Sequence, residues 1–324
     1  MSQKSQLTPW IEKYRPIDLD DIVMDKDIKK QVNIFLSDRA GLHLIITGSP
    51  GIGKTSTARC IAKRVHGEMI DDGYLELNAA EDRGVKLGSI IPDFCKRMTR
   101  INRSKIILLD EADNMTKKCQ DDINSLIKIY GNNTKFIFTC NDSAKIIEDI
   151  QSVCRILRFK KLTNEQIKQY LGKVCEKEKI VFDKSGIETI CSISDGDMRK
   201  SINNLQVTAV SFEEVTKKTV LAICKMPDPE EIIEIIDVCL EIKLMDAVRL
   251  MESIIQKGYY FLDIVTSFQH SLMKYSLDEE LRIRLYNITC QTQIAISNGL
   301  RSKLQLIAMI CRMIECVNNY NEKK

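Results

Sequence analysis

Gly48-Ser-Pro-Gly-Ile-Gly-Lys-Thr55 satisfies the pattern G-x-x-x-x-G-K-[ST] in the setting that gives the pattern meaning. An apolar run, Leu42 to Thr47, leads into it, and Thr55 to His66 follows with apolar residues at helical spacing. Gly48, Gly51 and Gly53 let the backbone turn its N–H groups onto phosphate oxygens, and the start of the following helix adds its positive end. Lys54 is expected to reach the outer phosphates and Thr55 to ligate Mg²⁺. Ser49, Pro50, Ile52 and Ser56 complete the expected cradle.

The second half of such a site is a strand that ends in acids. Ile106-Ile-Leu-Leu-Asp-Glu-Ala-Asp113 has that form. Asp110 is placed to hold the magnesium ion and Glu111 to orient or deprotonate an attacking water. The plainer alternative is a strand capped by solubilising acids.

Outward from these stretches, Tyr74 to Leu77, Lys105 to Leu109 and Lys135 to Thr139 also read as strands, and Gln120 to Tyr130 reads as a helix. Their alternation predicts an α/β core with a parallel sheet covered by helices. From Leu162 onward helical patterns take over, first Asn164 to Glu178 and then Ser185 to Ser194. Met226-Pro-Asp-Pro229 cannot continue a helix and reads as a linker. Beyond it the chain reads as all helix; Leu244, Ala247, Val248, Met251 and Ile255 form one stripe, which Gly258 ends. The expected division is a nucleotide-binding domain over residues 1–161, a helical lid over 162–226 and a helical collar over 227–324.

Composition sets limits on function. With 324 residues, 44% hydrophobic and 29% charged, the chain can build proper cores and is neither disordered nor membrane-like. Its apolar runs are strand length, so no membrane span is expected. The polar Met1 to Thr8 lacks the apolar stretch of a secretory signal, which predicts an intracellular protein. Of the twelve scattered cysteines, most read as small buried hydrophobes. A net charge of +3 leaves any nucleic-acid contact to a local patch. Arg155, Arg158, Lys160 and Lys161 are one candidate, with a solvated face as the alternative.

The order of these motifs, with Thr139-Cys140-Asn141 and Gly196-Asp197-Met198-Arg199 added, resembles an AAA+ ATPase. Pro9-Trp-Ile-Glu-Lys-Tyr-Arg-Pro16, Leu77-Asn-Ala-Ala-Glu-Asp-Arg-Gly84 and Ile150-Gln-Ser-Val-Cys154 narrow the resemblance to the small subunits of replication factor C, the clamp loader. That resemblance implies ATP and Mg²⁺ as cofactors, with Ile11, Arg15 and Val23 lining the adenine pocket. It also implies Asn141 and Arg199 as first and second sensors of the γ-phosphate, acting with Lys54, Asp110 and Glu111 in catalysis. The implied partners are other loader subunits in a pentameric ring, a sliding clamp of the proliferating cell nuclear antigen type, and primed double-stranded DNA held by its phosphates. The implied place is the nucleus or a viral or cytoplasmic replication site. Two alternatives from other classes stay open: a structural or regulatory ATP-binding subunit, and a different AAA+ enzyme such as a branch-migration motor or helicase loader.

The chain departs from the family pattern twice. The family's Ser-Arg-Cys interface motif is Ser152-Val153-Cys154 here, and Val cannot supply a trans finger worth on the order of 10³ to 10⁵ in rate. If residues 153 to 155 form an extended strand, Arg155 would project on the same side as residue 153 and could replace it. After Arg83-Gly84, where the family usually places a phosphate-binding Arg, the chain has Val85-Lys86-Leu87-Gly88-Ser89 and is one residue shorter before Phe94, which leaves Arg83 and Lys86 as the candidates for DNA contact. Ile91, Phe94 and Met98 recur at helical spacing just beyond, either toward the clamp or into the domain core.

Overall fold

Alternating apolar runs need a surface on each side of a sheet to bury against. In the computed structural model, which describes residues 8–37, 42–79, 87–97 and 104–322, they find both. β1 (His43–Thr47), β2 (Tyr74–Asn78), β3 (Lys105–Asp110), β4 (Thr134–Cys140) and β5 (Cys154–Arg158) form one parallel sheet in the order β2-β3-β4-β1-β5. The helices that precede β1 are α1 (Trp10–Lys13) and α2 (Lys26–Ser37). Between the strands run α3 (Lys54–His66), α4 (Ile70–Gly73), α5 (Leu87–Lys96), α6 (Lys117–Tyr130) and α7 (Glu148–Ser152).

Side chains two apart on a strand share a face, so β3 divides its apolar residues between two cores. Ile107 and Leu109 pack with Ile91 and Phe94 of α5 and Ile123 and Ile127 of α6. Ile106 and Leu108 pack with Val32 and Phe35 of α2 and Ala58 and Ile61 of α3. Each such fully buried Leu or Ile contributes about 1.5–3 kcal/mol relative to exposure. Ile91 and Phe94 thus belong to the domain core, which removes them from any clamp-facing surface; Met98 lies outside the described residues.

The lid helices follow as α8 (Asn164–Glu178), α9 (Lys184–Ser194) and α10 (Met198–Ser211). A reciprocal cap starts α8: Thr163 accepts from Gln166 N–H while the Gln166 side chain accepts from Thr163 N–H. Lys179, in the left-handed region at φ 56°, ends it. Two-residue strands β6 (Val181–Phe182) and β7 (Glu214–Val215) pair in parallel beside these helices, too short to leave a periodic signal in the sequence. Residues 1–216 form one compact unit.

Residues 217–324 form the second unit. It contains α11 (Lys217–Cys224), α12 (Pro229–Leu240), α13 (Leu244–Gln256), α14 (Phe261–Lys274), α15 (Glu279–Ser297) and α16 (Lys303–Asn321). Pro229 opens α12 at a position whose N–H would have no helical partner, and the Asp228 side chain accepts from Glu230 N–H. Gly258, at φ +80°, follows the end of α13. Ile232, Ile236, Met251, Phe268, Leu306 and Ile310 lie at the centre of this unit's core.

Among the described residues all twelve cysteines are free, six of them buried. No helix of the described residues is long and apolar enough to cross a membrane.

Candidate active site

The glycine loop leaves the end of β1 and enters α3, and β3 and β4 run beside β1 in the same direction. Parallel neighbours bring their C-terminal ends to one edge, so Asp110 and Asn141 arrive beside the loop although they lie far from it in sequence. Lys54 crosses the gap. Its Nζ donates to Asn141 Oδ1 at 2.8 Å and to the carbonyls of Gly48 and Ser49 at 2.7 and 2.8 Å. Burial holds its ammonium below the usual lysine range; Arg199 acts in the same sense, while Asp113 and Asp110 oppose the shift.

Thr55 Oγ1 lies 3.1 Å from both oxygens of Asp110, and Thr139 at the end of β4 donates to the same carboxylate. Glu111 is exposed and sits in the left-handed region at φ 55°, where its N–H donates to Asp110 Oδ1 at 3.2 Å. A non-glycine residue there carries strain on the order of 1–2 kcal/mol. Asn114 Nδ2 donates to Glu111 Oε2 at 3.3 Å. Asp113 Oδ2 accepts from the Asn141 N–H at 3.2 Å, while its other oxygen is buried with no hydrogen-bond partner among the described residues.

Two adjoining cavities share Arg15, Gly51, Gly53, Ser56 and Arg199. The smaller, about 130 Å³, is polar and bounded by Lys54, Thr55, Asp110, Glu111, Asp113 and Asn141. The larger, about 330 Å³, is walled by Ile11, Arg15, Ile22, Val23, Tyr170 and Ile202. A polar chamber opening into an apolar one matches a triphosphate joined to a flat base. The hydroxyl of Thr55 and the carboxylate of Asp110 are hard oxygen donors of the kind Mg²⁺ takes, few in number as that ion requires when phosphates and water fill its remaining positions. Among the described residues no cluster of three or more His, Cys, Asp or Glu side chains forms a separate metal site.

The expected residues therefore converge with few exceptions. Ile11, Arg15, Val23, Pro50, Gly51, Ile52, Gly53, Lys54, Thr55, Ser56, Asp110, Glu111, Asn141 and Arg199 all line one or both cavities. Gly48 and Ser49 contribute their carbonyls to Lys54 from just outside. Ile52 also turns its side chain into the core beneath the loop. Arg83 and Lys86 lie outside the described residues. The premise for Arg155 needs correction: Val153 is not extended but caps α7 at φ −99° and ψ 0°, so residues 153 and 155 do not share a strand face. Arg155 lies within β5 opposite Leu44, whereas Val153 stands exposed at the helix end.

Sequence reasoning missed three contributors. Thr139 and Asp113 stand inside quoted motifs; Thr139 meets Asp110 because β3 and β4 run side by side, and Asp113 meets the Asn141 N–H from the short helical turn Ala112–Asn114 that follows β3. Asp197 carries the third. The Met198 N–H donates to the Gly51 carbonyl at 3.0 Å, and a Cβ on Gly51 would lie 1.8 Å from Asp197 Oδ1, so the lid rests directly on the phosphate loop.

The sheet, loop and lid have the form of an AAA ATPase. The profile of the ATPase family associated with various cellular activities matches residues 44–165, and the RCF1/5-like AAA+ ATPase lid profile matches 169–210. The replication factor C C-terminal domain profile matches residues 227–312. A protein of Acanthamoeba polyphaga mimivirus, assigned by name as a replication factor C small subunit, is 63% identical over 95% of this chain and 97% of its own length. Replication factor C subunit 4 of Schizosaccharomyces pombe is 36% identical over 94% and 90%, and the replication factor C small subunit of Sulfolobus acidocaldarius 34% over 97% and 98%. The chain belongs to the replication factor C small-subunit family of ATPases. Among solved structures, the Thermotoga maritima RuvB Holliday junction branch migration motor superposes with a TM-score of 0.55 at 15% identity, covering 82% of this chain and 99% of that one. At that identity the likeness concerns the fold alone.

Proposed function

We propose that this chain is an ATP-hydrolysing subunit of a clamp loader, which opens a sliding clamp and places it on primed DNA during DNA replication. The observation that carries the reading is the bridge from Lys54 to Asn141 beside the Asp110 carboxylate shared by Thr55 and Thr139. It ties the phosphate loop, the acid-tipped strand and the neighbouring strand into one polar chamber. In that chamber Lys54 neutralises the outer phosphates, Asn141 positions the attacking water, and Glu111 orients or deprotonates it. Arg199, exposed on the lid and lining both cavities, brings a second cation to the phosphates when the lid is down. Ile11, Arg15 and Val23 enclose the base. Thr55 and Asp110 would hold Mg²⁺, which when bound offsets the negative charge of the phosphate oxygens.

Residues 1–161, 162–226 and 227–324 would then act as motor, lid and collar, with the collar joining the chain to the other subunits of a pentameric ring. Arg83 and Lys86 would meet DNA phosphates, and such contacts carry no sequence preference. The clamp would be of the proliferating cell nuclear antigen type, and the place of work a nuclear, viral or cytoplasmic replication site. Val153, exposed where the family carries its finger, supports a second reading in which the site completed by this surface turns over slowly and acts structurally.

One experiment separates these readings. In the assembled complex Glu111→Gln should retain ATP binding and lose DNA-stimulated hydrolysis. Unchanged turnover would leave the structural reading in possession.

A further inference from the structure

The segment Pro9 to Pro16 forms one wall of the larger cavity, yet α1 buries none of its own residues. Burial holds it only in part, with Trp10, Ile11 and Tyr14 half-buried. Its polar attachments run chiefly to the lid. The Trp10 N–H donates to Gln206 Oε1 of α10 at 2.9 Å. Lys13 Nζ and the Tyr14 hydroxyl both donate to Glu178 Oε1 at 2.6 Å. The Tyr170 hydroxyl of α8 donates to the Tyr14 carbonyl. Lys13 and Lys177 lie 5.4 and 5.8 Å from the centre of the Tyr14 ring. Toward the sheet domain the segment makes a weaker tie, from Cys60 Sγ to the Pro16 carbonyl at 3.5 Å.

Glu178 is the convergence point. It is the last residue of α8, its side chain is 18% exposed, and it does not line the cavity. Burial alone would raise its carboxyl, but the hydrogen bonds from Lys13 and Tyr14 outweigh burial and hold it ionised below the usual glutamate range. A charged acceptor with two donors is stronger than a neutral hydrogen bond, and here both donors come from the wall segment.

We propose that Glu178 is a positioning residue for the nucleoside: by gripping Lys13 and Tyr14 from the lid, it sets Ile11 and Arg15 against the cavity. The wall then moves as part of the lid. Binding of the base orders wall and lid together, and lid movement opens the base pocket and withdraws Arg199 in one step. This inference rests on the nucleotide site described under the proposed function.

The test compares two ligands on the full-length chain by calorimetric titration: Mg-ATP, which meets the wall at Ile11 and Arg15, and inorganic tripolyphosphate with Mg²⁺, which meets it at Arg15 alone. Glu178→Ala should raise the Kd of ATP about tenfold, the scale expected for losing a charge-assisted bond, and that of tripolyphosphate by no more than about threefold, since it keeps only the Arg15 part of the wall. Tyr14→Phe should shift ATP in the same direction. Glu178→Gln, whose amide oxygen still accepts from Tyr14, should fall between wild type and Glu178→Ala. Equal losses for both ligands would mean a structural role only and overturn the proposal, as would unchanged ATP affinity in both Glu178→Ala and Tyr14→Phe. If the wild type binds neither ligand, and so matches Lys54→Ala, the nucleotide site itself is refuted and this inference with it.

Discussion

Gly51→Ala should lift the lid from the phosphate loop. Gly51 has φ +72°, where a side chain costs on the order of 1–2 kcal/mol. The added methyl would meet Asp197 at 1.8 Å from Oδ1 and 2.2 Å from Cγ, too close for any adjustment short of moving the carboxylate. That carboxylate caps α10 by accepting from the Lys200 N–H at 3.0 Å, a contribution of about 1 kcal/mol. Displacing α10 also breaks the bond from Met198 N–H to the Gly51 carbonyl, worth about 1 kcal/mol. Together these amount to roughly 3–4 kcal/mol against the lid-down unit. Asp197→Ala removes the obstacle, so in that background Gly51→Ala should cost only the backbone strain of about 1–2 kcal/mol, a coupling of about 2 kcal/mol. The assay is urea unfolding followed by fluorescence of Trp10, the chain's one tryptophan, which sits in the unit concerned and packs edge-on against Tyr14. If the cost of Gly51→Ala is the same in both backgrounds within about 0.5 kcal/mol, the lid does not rest on the loop through this contact.

Acid should weaken the sheet domain through His43. Burial, aided by Lys135, pushes its pKa down to about 4, and its Nδ1 accepts from the Phe136 N–H at 3.1 Å, so the folded state needs the neutral ring. Because the folded pKa lies below the unfolded one, this stability is complete above about 6.5 and is lost as pH falls through 4. The loss between pH ~7.5 and ~4.5 should be roughly 2.5 kcal/mol, and His43→Asn, which keeps an acceptor, should lack it in urea unfolding at the two pH values. Lys105, only 5% exposed, donates to the carbonyls of Phe94, Cys95 and Arg97 at the end of α5. Lys105→Met should therefore destabilise the unit by about 2–4 kcal/mol in the same assay, and a cost below about 1 kcal/mol would show those carbonyls satisfied by solvent. In the assembled complex Val153→Arg should speed hydrolysis at the adjoining site by about tenfold or more; no change there would place the finger elsewhere.

How much of this could be read in advance follows from the range of the interactions. Phosphate loop, acid-tipped strand and sensor Asn are each specified by a few consecutive residues, so their existence and chemistry were legible. The strands at Tyr74 and Lys105 and helix α8 were legible for the same reason, since apolar period and capping residues are local properties. The pair β6 and β7 was not, because two residues carry no period. The turn at Val153 is not legible either, because α7 ends where the Val153 N–H donates to the Ile150 carbonyl and no strong cap residue announces it.

The linear chain by itself determined the chemistry: a glycine loop with Lys54 and Thr55, and acids at Asp110 and Glu111, can serve little else than a nucleotide phosphate. Only the tertiary structure decided who stands next to whom. Thr139 reaches Asp110 through the register of parallel strands, Ile91 and Phe94 turn inward because the sheet offers them a face, and Glu178 grips Lys13 and Tyr14 from more than 160 positions away. A covalent neighbour is set by sequence, whereas a spatial neighbour is set by how sheet and lid close over their buried cores, which no local pattern records.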